Sequence, residues 1–368
     1  MTTTGRNGAE NAKKNAVGLR VWAPAKVNLF FEILFKRDDG FHEIQTVATP
    51  IELCDELEFR LQGEKTGAEI EKTSIIECVD EAGNPVPGVP LDDRNLIIRA
   101  AQAFDEAFGE PTPVSIRVVK RIPSQAGLGG GSSDAAATLA ALNELRGRPF
   151  SNERLREIGG RLGSDVPLFL LDGASVGRSR GEIVEPFDLP EIWLVVLKPT
   201  EGLSTPEVFR RYAALAPTPK RSLDDFCAAV ATVKWINGAN GINRINGISE
   251  AIDPNEKKSA NWGDKATSVN GAVAAAVGGA LFNRLEEVAA TIWDGVERYR
   301  APLAATRDVL GVQMSGSGTA FFAIYPSEAA ANDAAEALRL QCVDGETFAV
   351  ARTLATTFRF QKLESAAE

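Results

Sequence analysis

The sequence is poor in histidine and has no paired cysteines, and both shortages narrow the chemistry that it can support. His42 is the single histidine among 368 residues. A serine hydrolase would have to build its triad around that residue, and a zinc or non-haem iron site made of several histidines is excluded. The four cysteines are scattered and form no Cys-x-x-Cys pair: Cys54, Cys78, Cys227 and Cys342. We therefore expect free thiols in a reducing cytoplasm and no protein metal site.

The chain also lacks an excess of positive charge and any long apolar run. Its formal net charge is −10, which argues against nucleic-acid binding because that requires a basic surface. A local electropositive pocket for a phosphorylated small molecule is compatible with this charge. No run approaches the roughly 18 to 20 apolar residues that cross a membrane, and residues 1–18 lack the apolar centre of a signal peptide. We expect a cytoplasmic protein without a membrane partner and with a flexible tail over residues 1–18.

The length indicates two domains, because 368 residues exceed one ordinary core. Strand-like alternation and helical spacing follow each other along the chain, over residues 19–34, 51–61, 68–78, 95–108, 114–119, 133–145 and 152–161. A second region starts near residue 190, and helical spacing resumes over 272–289 and 329–340. Between these regions the composition shifts to Asn, Gly, Lys and Ser, which predicts a surface insertion over 217–265.

The most informative segment is a glycine-rich turn between a strand and a helix. It reads Pro-Ser-Gln-Ala-Gly-Leu-Gly-Gly-Gly-Ser-Ser-Asp-Ala-Ala from Pro123 to Ala136. Glycine tolerates left-handed backbone angles and lets the main chain approach a ligand, while the N–H groups and dipole at a helix start attract anions. The pattern predicts a phosphate-binding loop, whose contact residues would be Pro123, Gly127, Leu128, Gly129, Gly130, Gly131, Ser132 and Ser133.

Other glycine-rich loops differ from this one in detail. A Walker loop requires a lysine after its last glycine, and this segment has none. The dinucleotide fingerprint requires a glycine where Ser132 stands, and the HRD and DFG signatures of protein kinases are absent. A flexible linker is the remaining alternative, although linkers rarely lead from a strand through such a run into an amphipathic helix.

The segment resembles the phosphate loop of the GHMP kinase superfamily, Pro-x-x-x-Gly-Leu-Gly-Ser-Ser-Ala. Its extended form, Gly-Leu-Gly-Gly-Gly-Ser-Ser-Asp, is similar to the branch that acts on 4-diphosphocytidyl-2-C-methyl-D-erythritol in the non-mevalonate isoprenoid pathway. Four further segments are similar to that branch: Ala23-Pro-Ala-Lys-Val-Asn-Leu29, Asp39-Gly-Phe-His42, Leu162-Gly-Ser-Asp-Val-Pro167 and Met314-Ser-Gly-Ser-Gly-Thr-Ala320. The match covers about residues 19–210 and 270–360.

The resemblance implies an α+β protein with the two-domain GHMP kinase fold and an active site in the cleft. Residues 19–188 would form an α/β domain like the second domain of ribosomal protein S5, and residues 189–368 a ferredoxin-like α+β domain that carries the insertion. The implied reaction transfers the γ-phosphate of ATP, with Mg²⁺, to the 2-hydroxyl of the methylerythritol unit. We expect a monomer or a homodimer.

Asp165 is the predicted general base. It precedes the apolar run Val-Pro-Leu-Phe-Leu-Leu, where a carboxylate needs a partner or a function, and an aspartate that accepts a proton activates an alcohol. From the residues alone, a turn aspartate bound to its own backbone is equally compatible, and the family motif favours catalysis. Lys26, if not a surface lysine, would keep Asp165 ionised and offset developing charge. Asn28 lies on the same strand face and would bind the substrate.

The resemblance also implies a pocket for the cytosine base. Phe41 would supply an aromatic face and His42 a polar edge or backbone group. The family usually has tyrosine at the first position, so Phe41 keeps the ring and loses the hydroxyl. The alternative for His42 is a solvated residue on a turn. Thr205 and Pro206 match a family Thr-Pro on the substrate side.

On the nucleotide side, Asn95 and Leu96 match a family segment near the adenine, although Arg94 replaces the family aspartate. These two residues would serve equally as a helix start, and Lys120 would also lie near the nucleotide. Two alternative functions stay open: another GHMP kinase acting on mevalonate, homoserine or a sugar, and a non-catalytic nucleotide-binding member. The Asp-Gly-Phe-His segment argues against the first, and the intact Lys26 and Asp165 against the second.

Overall fold

The computed structural model describes residues 18–62, 74–215, 220–237, 269–341 and 346–363. The predicted tail lies outside this range except for Gly18. The described residues form twelve strands: β1 (Gly18–Lys36), β2 (His42–Leu61), β3 (Ser74–Val79), β4 (Val114–Val119), β5 (Ser175–Ser179), β6 (Ile183–Pro186), β7 (Trp193–Lys198), β8 (Phe282–Asn283), β9 (Gly311–Met314), β10 (Phe321–Tyr325), β11 (Thr347–Arg352) and β12 (Arg359–Leu363).

Ten helices alternate with these strands. They are α1 (Leu96–Phe108), α2 (Gly130–Leu145), α3 (Asn152–Leu162), the single turn α4 (Val166–Phe169), α5 (Thr205–Leu215), α6 (Leu223–Asn237), α7 (Val269–Ala280), α8 (Arg284–Ala289), α9 (Gly295–Ala304) and α10 (Glu328–Arg339). No helix in the described ranges is both long and apolar enough to span a bilayer.

A long antiparallel hairpin of β1 and β2 is the frame of the first sheet. The strand order is β12-β1-β2-β4-β3, with β5 and β8 pairing beside it on β2 and β1 and β6 continuing from β5. In the hairpin Lys26 pairs with Pro50 and Asn28 with Ala48. Both residues lie on one face of β1, because side chains two residues apart point the same way.

Helices α1 to α4 cover one face of the first sheet, and the side chains between these helices and the sheet form a hydrophobic core. The α2 helix contributes six fully buried residues to this core, four of them alanines: Ala135, Ala136, Ala137, Leu139, Ala141 and Leu142. Small side chains let α2 lie close to α1 and β1, and this position carries the start of the helix to the end of β4. The glycine-rich turn is thereby held between a strand and a helix, as predicted.

A second, four-stranded antiparallel sheet has the order β11-β7-β10-β9. Its core includes the fully buried Phe321, Phe322 and Tyr325 of β10, against which β7 and the surrounding helices pack. The α+β class expected from the sequence is therefore what the chain forms.

Several element boundaries differ from the sequence-based ones. The helix predicted over 272–289 is interrupted at residues 281–283, where Phe282 and Asn283 leave the helix to pair with Phe30 and Phe31 of β1. At the C-terminus β12 pairs with β1, so the chain returns to the first sheet and the region 189–368 is not confined to one domain.

Part of the predicted insertion over 217–265 is also different from the expectation. Residues 216–219 and 238–268 lie outside the described ranges, so the insertion there stays a prediction. The described part forms α6, in which Leu223, Phe226 and Val230 are buried in the core shared with β7 and β10. Residues 223–233 therefore form a helix with one face in the core and are not a surface loop.

A buried ion pair connects the long hairpin to the helices beyond α7. The guanidinium of Arg284 donates to Glu32 through Nε at 2.9 Å and a terminal nitrogen at 2.7 Å. Glu32 is fully buried and also accepts the backbone N–H of Ile33 and of Arg221, at 2.9 and 2.8 Å. These donors together hold the pKa of Glu32 below its ordinary value against the opposing effect of burial.

We predict that Arg284→Ala lowers the free energy of unfolding by about 3 to 5 kcal/mol, because it leaves the Glu32 carboxylate buried without its cation. The control is Arg94→Ala, since Arg94 pairs with Asp92 at 2.8 Å but its side chain is 78% exposed; we expect a loss below about 1 kcal/mol there. Urea denaturation followed by circular dichroism measures both. Equal losses in the two variants would contradict the assignment.

Candidate active site

The glycine-rich turn closes on the start of α2 through two left-handed glycines. Gly127 and Gly129 have φ values of 73° and 74°, and Gly129 is the residue that precedes the first helical turn. The turn opens on a cavity of about 310 Å³. Its walls are Leu96, Lys120, Ile122, Pro123, Ser124, Gln125, Ala126, Gly127, Leu128, Gly129, Gly130, Gly131 and Ser132.

Nine of the eleven residues predicted to contact the nucleotide line this cavity, and two do not. Ser133 is fully buried inside α2. Asn95 caps α1: its side chain accepts the N–H of Ile97 at 2.9 Å and donates to the carbonyl of Pro90 at 2.7 Å. These contacts agree with the alternative interpretation, in which Asn95 is the start of a helix.

A second glycine turn, at residues 315–318 between β9 and β10, packs directly on the first. The Ser315 hydroxyl donates to the carbonyl of Gly127 at 3.0 Å, and the N–H of Ala320 donates to the carbonyl of Ala126 at 3.0 Å. A Cβ built on Gly127 would lie 2.0 Å from the Ser315 carbonyl oxygen. Glycine is required at 127 because both its backbone angle and its surroundings exclude a side chain.

Lys26 lies beside the first turn with its ammonium inside the protein. Its backbone N–H donates to the Leu128 carbonyl at 2.9 Å, and its side chain is 5% exposed. The Nζ atom donates to Asn28 Oδ1 at 2.5 Å and lies 3.7 Å from Asp165 Oδ2. The structure thus brings together Lys26 and Asp165, predicted for the chemical step, with Asn28, predicted to bind the substrate.

Asp165 occupies the more open side of this pair. It precedes the single turn α4, and its side chain is 43% exposed. One carboxylate oxygen faces the buried ammonium while the group remains accessible from the cleft. Such a carboxylate can accept a proton from a hydroxyl bound there, with the cation close enough to stabilise its charge.

The side-chain amide of Asn28 links Lys26 to β2 through hydrogen bonds. Its Nδ2 donates to the Thr46 hydroxyl at 2.9 Å, and that hydroxyl donates to the Phe30 carbonyl at 2.8 Å. These bonds fix the amide so that Oδ1 points to Lys26. The orientation of Asn28 is therefore set by the hairpin and not by a ligand.

Lys120, predicted to lie near the nucleotide, lines the cavity, and two carboxylates hold its ammonium. Its ammonium donates to Asp55 and, at 2.7 Å, to Asp134. These two carboxylates raise the pKa of Lys120 above its ordinary value although burial opposes them. Sequence reasoning missed both aspartates, because Asp55 lies far away in the chain and Asp134 reads as part of a polar helix start.

His42 begins β2 and packs in an aromatic group that the sequence analysis did not identify. Its ring centroid lies 5.1 Å from that of Phe209, and Tyr212 approaches its edge at 5.7 Å. Burial lowers the pKa of His42, so the neutral ring predominates near pH 7. Its Nε2 atom is buried and has no hydrogen-bond partner among the described residues. The sequence did contain a clue to Phe209 and Tyr212, because both follow Thr205-Pro206 on the same helix.

Phe41, next to His42 in the sequence, has an open aromatic face. It is 51% exposed, and the guanidinium of Arg180 lies 4.9 Å from the centre of its ring. At the start of α5 the Thr205 hydroxyl lies 2.6 Å from the Ser317 hydroxyl. Thr205 and Pro206 are thus next to the second glycine turn, on the helix that carries Phe209. No group of three or more metal-ligating side chains occurs in the part of the chain that the structure describes.

Comparisons with known proteins agree with this geometry. The model of the GHMP kinases N terminal domain matches residues 95–173 and that of the GHMP kinases C terminal domain matches residues 272–344. These segments contain the first glycine turn with Asp165, and the second glycine turn. Both matches confirm the two-domain GHMP kinase fold predicted from the sequence.

Curated relatives carry one name. The chain is 38% identical over 243 residues to the 4-diphosphocytidyl-2-C-methyl-D-erythritol kinase of Polaromonas naphthalenivorans. This alignment covers 65% of this chain and 77% of the relative. The chain is also 43% identical over 199 residues to the protein of that name from Marinobacter nauticus. That alignment covers 54% of this chain and 65% of the relative, which is just under two thirds of its length.

A solved structure extends the likeness over most of the chain. The crystal structure of a 4-(cytidine 5'-diphospho)-2C-methyl-D-erythritol kinase superposes with a TM-score of 0.63 at 30% identity. The superposition covers 91% of this chain and 99% of that chain. The chain therefore belongs to the 4-diphosphocytidyl-2-C-methyl-D-erythritol kinase family of the GHMP kinases.

Proposed function

We propose that this protein transfers the γ-phosphate of ATP to the 2-hydroxyl of 4-diphosphocytidyl-2-C-methyl-D-erythritol, in the synthesis of isoprenoid precursors. The observation that carries the proposal is the contact of 3.7 Å between Lys26 Nζ and Asp165 Oδ2 beside the phosphate loop. It joins a proton acceptor, a cation and an anion-binding turn at one point. Family membership supplies the identity of the two substrates.

In the proposed reaction Asp165 accepts the proton of the hydroxyl while the oxygen bonds to the γ-phosphorus. The bond from that phosphorus to the β–γ bridging oxygen breaks, and ADP leaves. The Lys26 ammonium is close enough to offset the negative charge that develops on the attacking oxygen. The N–H groups at the start of α2 hold the phosphates. A Mg²⁺ ion bound to the triphosphate would neutralise part of the phosphate charge.

The spacing of the site fits an elongated acceptor. Asn28, which touches Lys26, donates to Thr46 at 2.9 Å, and His42 lies four residues from Thr46 on the same strand, a distance of about 13 Å. A ribose and two phosphates separate the cytosine from the methylerythritol hydroxyls in the proposed substrate. Mevalonate and homoserine are too short to reach both ends.

The cytosine would lie in the pocket formed by Phe41, His42 and Phe209. The exposed ring of Phe41 and the ring of Phe209 offer aromatic faces for stacking. The Nε2 atom of His42 is buried, so the ring would have to shift before this atom bonds to the polar edge of the base. Asn28 and the Thr205-Pro206 segment would contact the sugar alcohol, and Leu96 the adenine of ATP.

We predict that Gly127→Ala raises the KM for ATP at least about tenfold, because the new Cβ displaces the turn at Ser315. Gly88→Ala is the matched control: Gly88 has a similar φ of 77°, but a Cβ there meets nothing within 4 Å. Its KM for ATP should change less than about twofold, since only the backbone strain of roughly 1 kcal/mol is common to both variants. Steady-state kinetics decides, and equal effects would refute the steric argument.

We predict that Asp165→Asn lowers kcat by at least about 100-fold, which is the usual contribution of a positioned general base. The dissociation constant of ATP should stay within about threefold, because the phosphate loop is untouched. A coupled assay of ADP release measures turnover, and Asp333→Asn, an exposed site on α10, is the control. Near-normal turnover of Asp165→Asn at saturating substrate would show that another group accepts the proton.

Phe209→Ala tests the position of the base. Loss of a stacking face costs about 1 to 3 kcal/mol, so the KM for the cytidylyl acceptor should rise between about fivefold and a hundredfold, with the KM for ATP unchanged. Phe360→Ala, on β12, is the control. A substrate panel with mevalonate and homoserine completes the test: turnover of either, with none of the cytidylyl substrate, would overturn the proposed function.

A further inference from the structure

A buried group of three charges lies directly beneath the phosphate loop, and the proposed transfer does not use it. Lys120, which follows β4, donates to Asp55 of β2 and to Asp134 of α2. Asp55 is fully buried and Asp134 is 3% exposed. With both carboxylates ionised, the group carries one excess negative charge next to a site for a polyanion.

Asp55 is the member of this group with the most hydrogen-bond donors. Its Oδ1 accepts the N–H groups of Arg121 and Ile122, at 2.6 and 2.8 Å, where the chain leaves β4 for the loop. A Cβ built on Gly130 would lie 3.6 Å from Asp55 Oδ2. The Asp55 carboxylate therefore lies one side-chain layer below the loop.

Asp134 has far fewer donors. Its Oδ2 accepts from Lys120 at 2.7 Å, and its Oδ1 is buried without a hydrogen-bond partner among the described residues. The carboxylates of Asp134 and Asp55 both contact the Lys120 ammonium, and two carboxylates held this close disfavour each other's ionisation. Burial and Asp55 raise the pKa of Asp134 to about 7, although Lys120 opposes the shift.

The other groups near Asp134 do not balance its charge. From β3, Cys78 lies close enough to interact with it electrostatically, but a buried thiol is neutral. From α1, the buried face is apolar, with Ile97, Ile98 and Ala101. From β1, the ammonium of Lys26 turns to Asn28 and Asp165. Lys120 is thus the cation in contact with both aspartates in the described part of the chain.

On the basis of the proposed kinase activity, we infer that Asp134 is a positioning residue that takes up one proton from solvent when the triphosphate binds to the loop. Bound phosphates add negative charge on the other side of the turn, which disfavours a second carboxylate behind it. Protonation of Asp134 leaves Lys120 and Asp55 as a neutral pair. The Asp134 carboxyl then donates to Asp55 and keeps α2 fixed to β2 and β4 under the loop.

Isothermal titration calorimetry of the full chain with Mg²⁺ and ATP, without acceptor, tests this inference. Titrations at pH 7.5 in three buffers of different ionisation enthalpy give the number of protons taken up. The wild type should take up about half a proton or more per ATP, and its Kd should rise by up to roughly tenfold per unit between pH 7.5 and 9.0. Asp134→Asn should take up none and keep its Kd within about twofold.

Asp165→Asn is the matched control, because it makes the same change at the exposed carboxylate across the loop; its proton uptake should equal that of the wild type. If Asp134→Asn does not fold, Asp134→Ser also leaves Lys120 paired with Asp55 and should show the same loss. ATP binding without proton uptake in the wild type, or uptake that persists in the Asp134 variants, overturns the inference alone. Failure of every variant and the wild type to bind ATP would instead refute the proposed function.

Discussion

The approach of the first glycine turn to the second, at Gly127 and Ser315, is the contact on which the site depends. A side chain at 127 would lie 2.0 Å from the Ser315 carbonyl oxygen, so the two turns meet only because glycine is there. The first turn belongs to the large sheet and the second to the four-stranded sheet. Their contact places the start of α2 in the cleft between the sheets, and Lys26 and Asp165 lie against it.

Two buried lysines near this contact, Lys26 and Lys120, differ in the side chains that they contact. Asp55 and Asp134 form ion pairs with Lys120 and neutralise its charge inside the protein. These three side chains lie below the loop and hold it in place. Lys26 is held by an amide, Asn28, and faces a carboxylate that is 43% exposed. An amide accepts a hydrogen bond without cancelling the charge, so in the proposed reaction the Lys26 cation would act on the reacting oxygen. The difference lies in the partners and not in the lysines.

Local patterns in the sequence predicted the strand β4, the helices α1 and α3, the glycine turn and the pairing of Lys26 with Asp165, because each has a strong short-range or motif signal. The pattern did not reveal that Phe282 and Asn283 interrupt a helix, since pairing with β1 overrides helical spacing there. It also placed Lys120 at the nucleotide without its carboxylates, because Asp55 is 65 residues away. Contacts of that separation depend on topology, which local periodicity does not encode.

Selectivity for a long acceptor follows from how the base pocket is shared. His42 comes from β2 of the large sheet, whereas Phe209 lies on α5 beside the second glycine turn, so both halves of the protein contribute a face. The buried Nε2 of His42 has no partner among the described residues, and an unsatisfied buried polar atom costs about 1 to 3 kcal/mol. In the proposed function, a cytosine that bonds to this atom would remove the cost, and a short alcohol bound only at Lys26 and Asp165 would not. The pocket would then favour the nucleotide-bearing acceptor twice, through stacking and through the hydrogen bond that a short acceptor leaves unmade.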